Sequence, residues 1–178
     1  MSRSNRRYSR GHRALWLWLI VAAVLALRYF SVEPQPPGPE LLDEGLHQVR
    51  RVVDGDTLLL ESGARVRLQG IDTPETVKED HPIESWGREA SQFTKNFIAE
   101  ADGSVRLTFG LERKDQYDRF LAFVWHGDRM LNEELVRAGL ARAKLGYRYS
   151  GTMKRRLADA QDEAREAKRG IWSSNQVQ

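Results

Sequence analysis

An α+β fold built on a small barrel or curled sheet is predicted for this chain, on three observations. Runs with strand-like patterning come early, between Gln48 and Leu68, and recur at Val105–Phe109 and Phe120–Trp125. Segments with helical spacing are interspersed late in the chain. The 178 residues leave room for one globular domain of ordinary size plus appended sequence, so one core is expected.

The appended sequence is amino-terminal. Residues 1–13 form a basic tail with Arg3, Arg6, Arg7, Arg10 and Arg13, and Ala14 to Leu27 is an unbroken apolar run of 14 residues. A basic flank with Trp16 and Trp18 in the run points to membrane targeting rather than to a buried core helix. The length also suits a cleaved signal peptide, yet no Ala-x-Ala pattern follows Leu27. Counting through Val32, with Arg28 snorkelling, gives 19 residues, close to the roughly 20 that span a bilayer. Residues 14–32 are therefore read as an uncleaved, single-pass signal-anchor, a transmembrane helix. The arginine bias keeps residues 1–13 cytoplasmic and puts the following domain on the extracytoplasmic side, periplasmic or extracellular. Residues 33–45 are read as a linker, stiffened by Glu33-Pro34-Gln35-Pro36-Pro37-Gly38-Pro39.

Strands follow. Val52, Val53, Leu58, Leu59 and Leu60 cluster around Asp54-Gly55, and Val66 and Leu68 come after the turn-like Glu61-Ser62-Gly63-Ala64, which reads as paired strands. Val105–Phe109 alternates, and Phe120–Trp125 ends at the turn His126-Gly127-Asp128, for four or five short strands in all. Ala90, Phe93, Phe97, Ile98 and Ala101 share one helical face. A second short helix is expected from Asn132 to Ala138, closed by Gly139, and a third from about Thr152 to Lys168, stopped by Gly170.

Composition narrows the chemistry. The chain has no cysteine, which excludes a disulfide framework and thiolate metal sites. Its net charge of +3 invites a polyanion partner, but residues 1–30 hold six arginines and no acid, leaving 22 bases against 25 acids in residues 31–178. Binding of a polyanion must then come from local placement of Arg and Lys rather than from a broadly positive face.

Five charged residues could supply such a site. Asp56 and Asp72 each precede a threonine where a strand ends, and oxygen-only ligation suits a hard cation, Mg²⁺ or Ca²⁺. The four histidines are scattered without ligand spacing. Arg67, on a strand read as Arg65–Ile71, shares with Arg65 the face opposite Val66 and Leu68. Its guanidinium, like that of Arg119, can hold phosphate oxygens bidentately. Glu75, after Pro74, could deprotonate an attacking water. Taken singly, each also has a plainer reading: Asp-Gly as a hairpin turn, the arginines as a solvated face, Glu75 as surface.

Taken together, Asp54-Gly55-Asp56-Thr57, Arg67-Leu68-Gln69-Gly70-Ile71-Asp72-Thr73-Pro74-Glu75, Trp86-Gly87-Arg88-Glu89-Ala90, Tyr117-Asp118-Arg119, Asn132-Glu133-Glu134-Leu135-Val136 and Gly170-Ile171-Trp172 resemble the staphylococcal nuclease family in order and spacing. The resemblance covers residues 46–174 and leaves 175–178 as a tail. It implies an OB-type five-stranded β-barrel with three α-helices and Ca²⁺-dependent hydrolysis of DNA and/or RNA phosphodiesters, with low sequence specificity and 3′-phosphate ends. By position it implies Asp56, Asp72 and the Thr73 carbonyl as metal ligands, Arg67 and Arg119 as the phosphate clamp, Glu75 as general base, and Tyr117 and Tyr147 as substrate-binding residues. A monomer without a protein partner is expected.

Three positions depart from the family pattern. Asp118 replaces a glycine before the second arginine and brings a negative charge to the clamp, Gln116 replaces a lysine, and Leu145 replaces a tyrosine. Nucleoside contacts could be rebuilt from Arg148 and Tyr149. The departures also motivate an alternative reading, a noncatalytic membrane-anchored module that binds nucleic acid or protein.

Overall fold

The computed structural model describes residues 38–75 and 85–173, which contain eight strands, three α-helices and a short 3₁₀ turn. The basic tail, the signal-anchor, the first part of the linker and the carboxy-terminal tail lie outside the described residues. Among the described residues no helix is long and apolar enough to cross a membrane.

Strands β1 (Gly45–Asp54), β2 (Thr57–Leu60) and β3 (Arg65–Leu68) form an antiparallel meander, with Asp54 opposite Thr57 and Thr57 opposite Arg67. The two residues between β1 and β2 are Gly55 and Asp56, so the turn falls one residue after the expected Asp-Gly centre, and neither residue takes a positive φ. Strand β5 (Ser104–Lys114) pairs with β1 on one side and with β6 (Phe120–His126) on the other. Parallel pairing of β3 with β6, Val66 opposite Phe120 and Leu68 opposite Ala122, closes these five strands into a barrel. Closure removes the exposed edges that an open sheet of this size would carry. Its interior is filled by alternate side chains such as Leu58, Leu60, Val66, Leu68, Val105, Leu107, Ala122 and Val124, all buried.

The strand expected at Arg65–Ile71 is interrupted at Gln69-Gly70. Beyond the break, β4 (Ile71–Asp72) leaves the barrel to pair with β8 (Arg142–Ala143). Gly70 takes φ +79°, and its backbone packs against Tyr149. The short β7 (Arg129–Met130) turns back and pairs antiparallel with the end of β6.

Helix α1 (Gly87–Glu100) buries Ala90, Phe97 and Ile98, the face its spacing predicts. The other two helices, α2 (Leu131–Arg137) and α3 (Gly151–Glu166), match the expected segments to within two residues at each end. Asn132 at the start of α2 is fully buried and ties the helix to the barrel. Its side-chain oxygen accepts from the Val124 amide, and its amide donates to the carbonyls of Gln69 and Ala122. Packing begins before residue 46: Leu42 joins the core and the Glu44 carboxylate accepts from the Phe109 amide. The end of the expected linker is thus part of the domain.

Gly139 and Gly170, read in the sequence as helix stops, meet face to face. Both have positive φ, and a Cβ on Gly170 would lie 2.1 Å from the Gly139 carbonyl oxygen, which itself accepts from the Ile171 amide. Gly170→Ala therefore combines left-handed strain with overpacking against backbone. It should destabilise the domain by about 3 kcal/mol. Thermal melting would register this as a drop of roughly 10 °C, and an unchanged Tm would contradict the contact.

Candidate active site

The register of the meander builds the site. Because Thr57 stands opposite Arg67, the hairpin residue Asp56 sits at the end of β2 beside that arginine. Asp56 is fully buried, and a charge there needs several partners. One carboxylate oxygen accepts from Arg67 and from the Thr57 hydroxyl at 3.1 Å. The other accepts from both the amide and the hydroxyl of Thr73, each at 3.0 Å. Thr94 of α1 donates to the Gly55 carbonyl at 2.6 Å and fixes the hairpin against the helix.

Arg67 also donates to Asp72, at 2.7 Å, so one guanidinium joins two carboxylates. Asp72 sits on β4, and its second oxygen takes Lys144 Nζ at 3.1 Å. The Arg67 side chain is 18% exposed, where the sequence suggested a solvated strand face as the plainer reading. Burial holds its pKa below the ordinary arginine value, Asp72 pulls it upward, and Arg119 pushes it down again.

Arg119 immediately precedes β6, which runs parallel to β3, and this brings the second guanidinium within electrostatic range of the first. Asp115 aims it. Its carboxylate accepts from Arg119 Nε at 2.8 Å and Nη2 at 2.7 Å, and from the Arg119 and Tyr117 amides. Partial burial raises the Asp115 pKa, but the hydrogen bonds from Arg119 and Tyr117 outweigh it and leave the carboxyl below its ordinary value.

Asp118 adopts φ +59°, the geometry a glycine would take there. Its carboxylate is 77% exposed and paired with Lys114 at 2.7 Å. The negative charge that the sequence puts beside the clamp is thus offset by a neighbouring lysine.

Arg67, Asp72, Arg119, Tyr117, Tyr147 and Lys144 line one cleft of ≈ 490 Å³. The two tyrosines are exposed, and Arg119 stacks on the Tyr117 ring at 5.3 Å. Asp56 and Thr73 lie behind the cleft wall. Glu75 is half-buried and near enough to act on the charge of Arg67. Its backbone is set by α1, since a Cβ on Gly87 would come within 2.8 Å of the Glu75 carbonyl oxygen. Residues 76–84, which follow Glu75, lie outside the described residues.

Eight residues expected from sequence thus gather at one end of the barrel, and two partners escaped sequence reasoning. Asp115 lies four residues before Arg119 but in a turn rather than on a helix, where that spacing carries no pairing signal. Lys144 has no local signal, because its partner Asp72 is 72 positions away. The exposed contact expected of Tyr149 is not available: its ring is 6% exposed, its hydroxyl donates to the Lys144 carbonyl, and burial pushes its pKa up to about 12.

Among the described residues no group of three or more His, Asp or Glu side chains converges. A cation held here would rest on two carboxylates and a carbonyl, with water and substrate completing the shell. The fit is chemical: Asp56 and Asp72 already share one positive charge, and every candidate donor is oxygen, as a hard cation requires.

Comparison with known proteins points the same way. Residues 65–174 match the family model described as staphylococcal nuclease homologue. A thermonuclease of Staphylococcus hyicus is 40% identical over 89% of this chain and 96% of its own length. A thermonuclease of Staphylococcus intermedius is 44% identical over 70% of this chain and 74% of its own. Endonuclease YncB of Bacillus subtilis is 32% identical over 70% of this chain and 60% of its own. A family match spanning the closed barrel from β3 onward, together with relatives this similar along most of their length, means that the chain belongs to the staphylococcal nuclease family.

Proposed function

We propose that this chain is a Ca²⁺-dependent nuclease that hydrolyses DNA and/or RNA phosphodiesters with low sequence preference and leaves 3′-phosphate ends. The observation that carries the reading is the pair of guanidiniums, Arg67 and Arg119, lining one cleft beside Asp72. Two like charges are costly to keep together unless an anion lies between them. A phosphodiester has the two oxygens that such a pair can grip.

Asp56, Asp72 and the Thr73 carbonyl would hold the cation, which when bound supplies neutralisation of phosphate charge. Arg67 and Arg119 orient the phosphate and stabilise the extra charge on its oxygens as water adds. Glu75 takes the proton from that water as its oxygen bonds to phosphorus. The bond from phosphorus to the 5′-oxygen breaks, the leaving oxygen takes a proton from solvent water, and the phosphate stays on the 3′ side. Tyr117 and Tyr147 offer exposed ring faces to the flanking nucleosides.

The chain should degrade single-stranded DNA with Ca²⁺ and stop when a chelator is added, with Glu75→Gln at least 10²-fold slower. End-labelled products read the 3′-phosphate. Absence of metal-dependent cleavage above the Glu75→Gln control would refute the mechanism, and equal nucleic-acid binding with and without Ca²⁺, with no loss on Arg119→Ala, would favour a noncatalytic binding module.

The proposed location is a single-pass membrane anchor over residues 14–32 with the nuclease domain extracytoplasmic, supported by the arginine bias of residues 1–13. Protease added to cells stripped of any outer membrane and wall should remove the domain, and full protection of the domain in such cells would reverse the orientation.

A further inference from the structure

Charge is unevenly distributed along the domain. Leu135 to Ala158 carries seven Lys and Arg and no acid, whereas the rest of residues 31–178 has 15 bases against 25 acids. Beside the two cleft guanidiniums, the densest run of bases free of acids in the domain is therefore Leu135–Ala158.

Some of those bases are already engaged. Arg137 pairs with Glu133 and Glu163, Arg156 pairs with Glu133, and Arg142 stacks on Trp172. Lys144 is at the cleft on Asp72. Arg148, Lys154 and Arg155 make no ion pair among the described residues.

Arg148 and Lys154 adjoin the cleft, and Arg155 follows them in the chain. Arg148 is exposed and follows Tyr147 of the cleft lining. Lys154 Nζ lies 5.3 Å above the ring of Tyr149. That ring packs against Gly70 of the cleft wall, and its hydroxyl bonds the Lys144 carbonyl. Arg155 is the exposed neighbour of Lys154 on α3.

We propose that Arg148, Lys154 and Arg155 form a track that binds the backbone phosphates of a nucleic-acid strand beyond the nucleotides held in the cleft. The proposal rests on the nuclease reading and deepens it: the favoured substrate is a strand long enough to leave the cleft past Tyr147 and cross the start of α3. An anionic membrane is the competing partner. The track is assigned to nucleic acid because it begins at the cleft and has an exposed aromatic ring, Tyr147, beside its first cation, as single-strand grooves do.

The test compares KM for a long single-stranded DNA with KM for a dinucleotide, using the full chain in detergent. One variant carries Arg148→Gln, Lys154→Gln and Arg155→Gln. A second removes the same charge elsewhere, with Arg50→Gln, Arg51→Gln and Lys95→Gln, all exposed in the structure. The first variant should raise KM for the long strand roughly tenfold more than for the dinucleotide, with kcat little changed. The slope of log KM against log salt should fall by about two. The second variant should show neither effect.

Equal KM changes for both substrates, or the same effect in the second variant, would overturn the track while leaving the nuclease reading intact. If the first variant loses only a preference for phosphatidylglycerol over phosphatidylcholine vesicles, the face is a membrane surface and the proposal falls. Absence of metal-dependent cleavage of either substrate by the unaltered chain would remove the nuclease reading itself.

Discussion

Replacing Arg67 with methionine is expected to slow the proposed cleavage by about 10³- to 10⁵-fold, as removing a guanidinium from a phosphoryl-transfer site does. The same change should destabilise the domain by about 2–3 kcal/mol. The two effects have different origins. The rate falls because one of the two phosphate-gripping guanidiniums is gone. Stability falls because Asp56 is fully buried and loses the cation that compensates its charge. The loss stays below the usual cost of breaking a buried ion pair because Thr57 and both Thr73 donors remain on the carboxylate. Asp56→Asn on top of Arg67→Met should recover most of the stability and none of the activity, since the buried group is then neutral. Denaturant unfolding and single-turnover rates of the two single variants and the double variant measure both quantities. A stability loss that persists unchanged in the double variant would show that Arg67 contributes by packing rather than by pairing with Asp56.

Much of this architecture is legible in the sequence because its signals are local. Alternation in Val105–Phe109, the spacing of Ala90, Phe97 and Ile98, and the Asp-Gly hairpin each depend on neighbours a few residues apart. What closes the barrel is not local. Nothing in Val66-Arg67-Leu68 announces a parallel partner in Phe120–Ala122, and that pairing is what brings Arg119 toward Arg67. The second half of β5, from Gly110 to Lys114, is equally hidden, because its residues are half-buried or exposed and lack alternation. The gathering of the site came from the ordered family motifs, which carry long-range information that single charged residues do not. Motifs could not show the support around them. Asp115 aiming Arg119, Lys144 resting on Asp72 and Lys114 offsetting Asp118 are pairings made by this chain's own backbone. The Asp118 case shows the consequence: a departure that reads as a defect in sequence is geometrically and electrostatically accommodated in the fold.

Arg119→Ala should lower kcat by about 10³-fold or more while moving Tm little, because the partner it leaves behind, Asp115, keeps hydrogen bonds from two backbone amides. Lysine should not rescue it, since Nε and Nη2 together fix the plane of the guanidinium against one carboxylate oxygen and an ammonium has no such plane. Asp115→Ala tests the aiming separately. The guanidinium is still present but no longer held, so kcat should fall by about tenfold to a hundredfold, less than for Arg119→Ala. The contribution of this pair also has a direction in pH. The folded Asp115 carboxyl titrates below its ordinary value, so its stabilisation is complete above the unfolded carboxylate pKa and is lost as pH falls through the lower folded value. The unaltered chain should therefore keep the clamp ordered from neutrality down through the usual carboxylate range. Asp115→Ala should show a flatter loss of stability toward acid than the unaltered chain does. Asp118→Gly serves as the control, because its carboxylate is exposed and paired with Lys114, and it should change kcat by less than about threefold. A rise of tenfold or more in that variant would mean that Asp118 acts on Arg119 despite the pairing with Lys114.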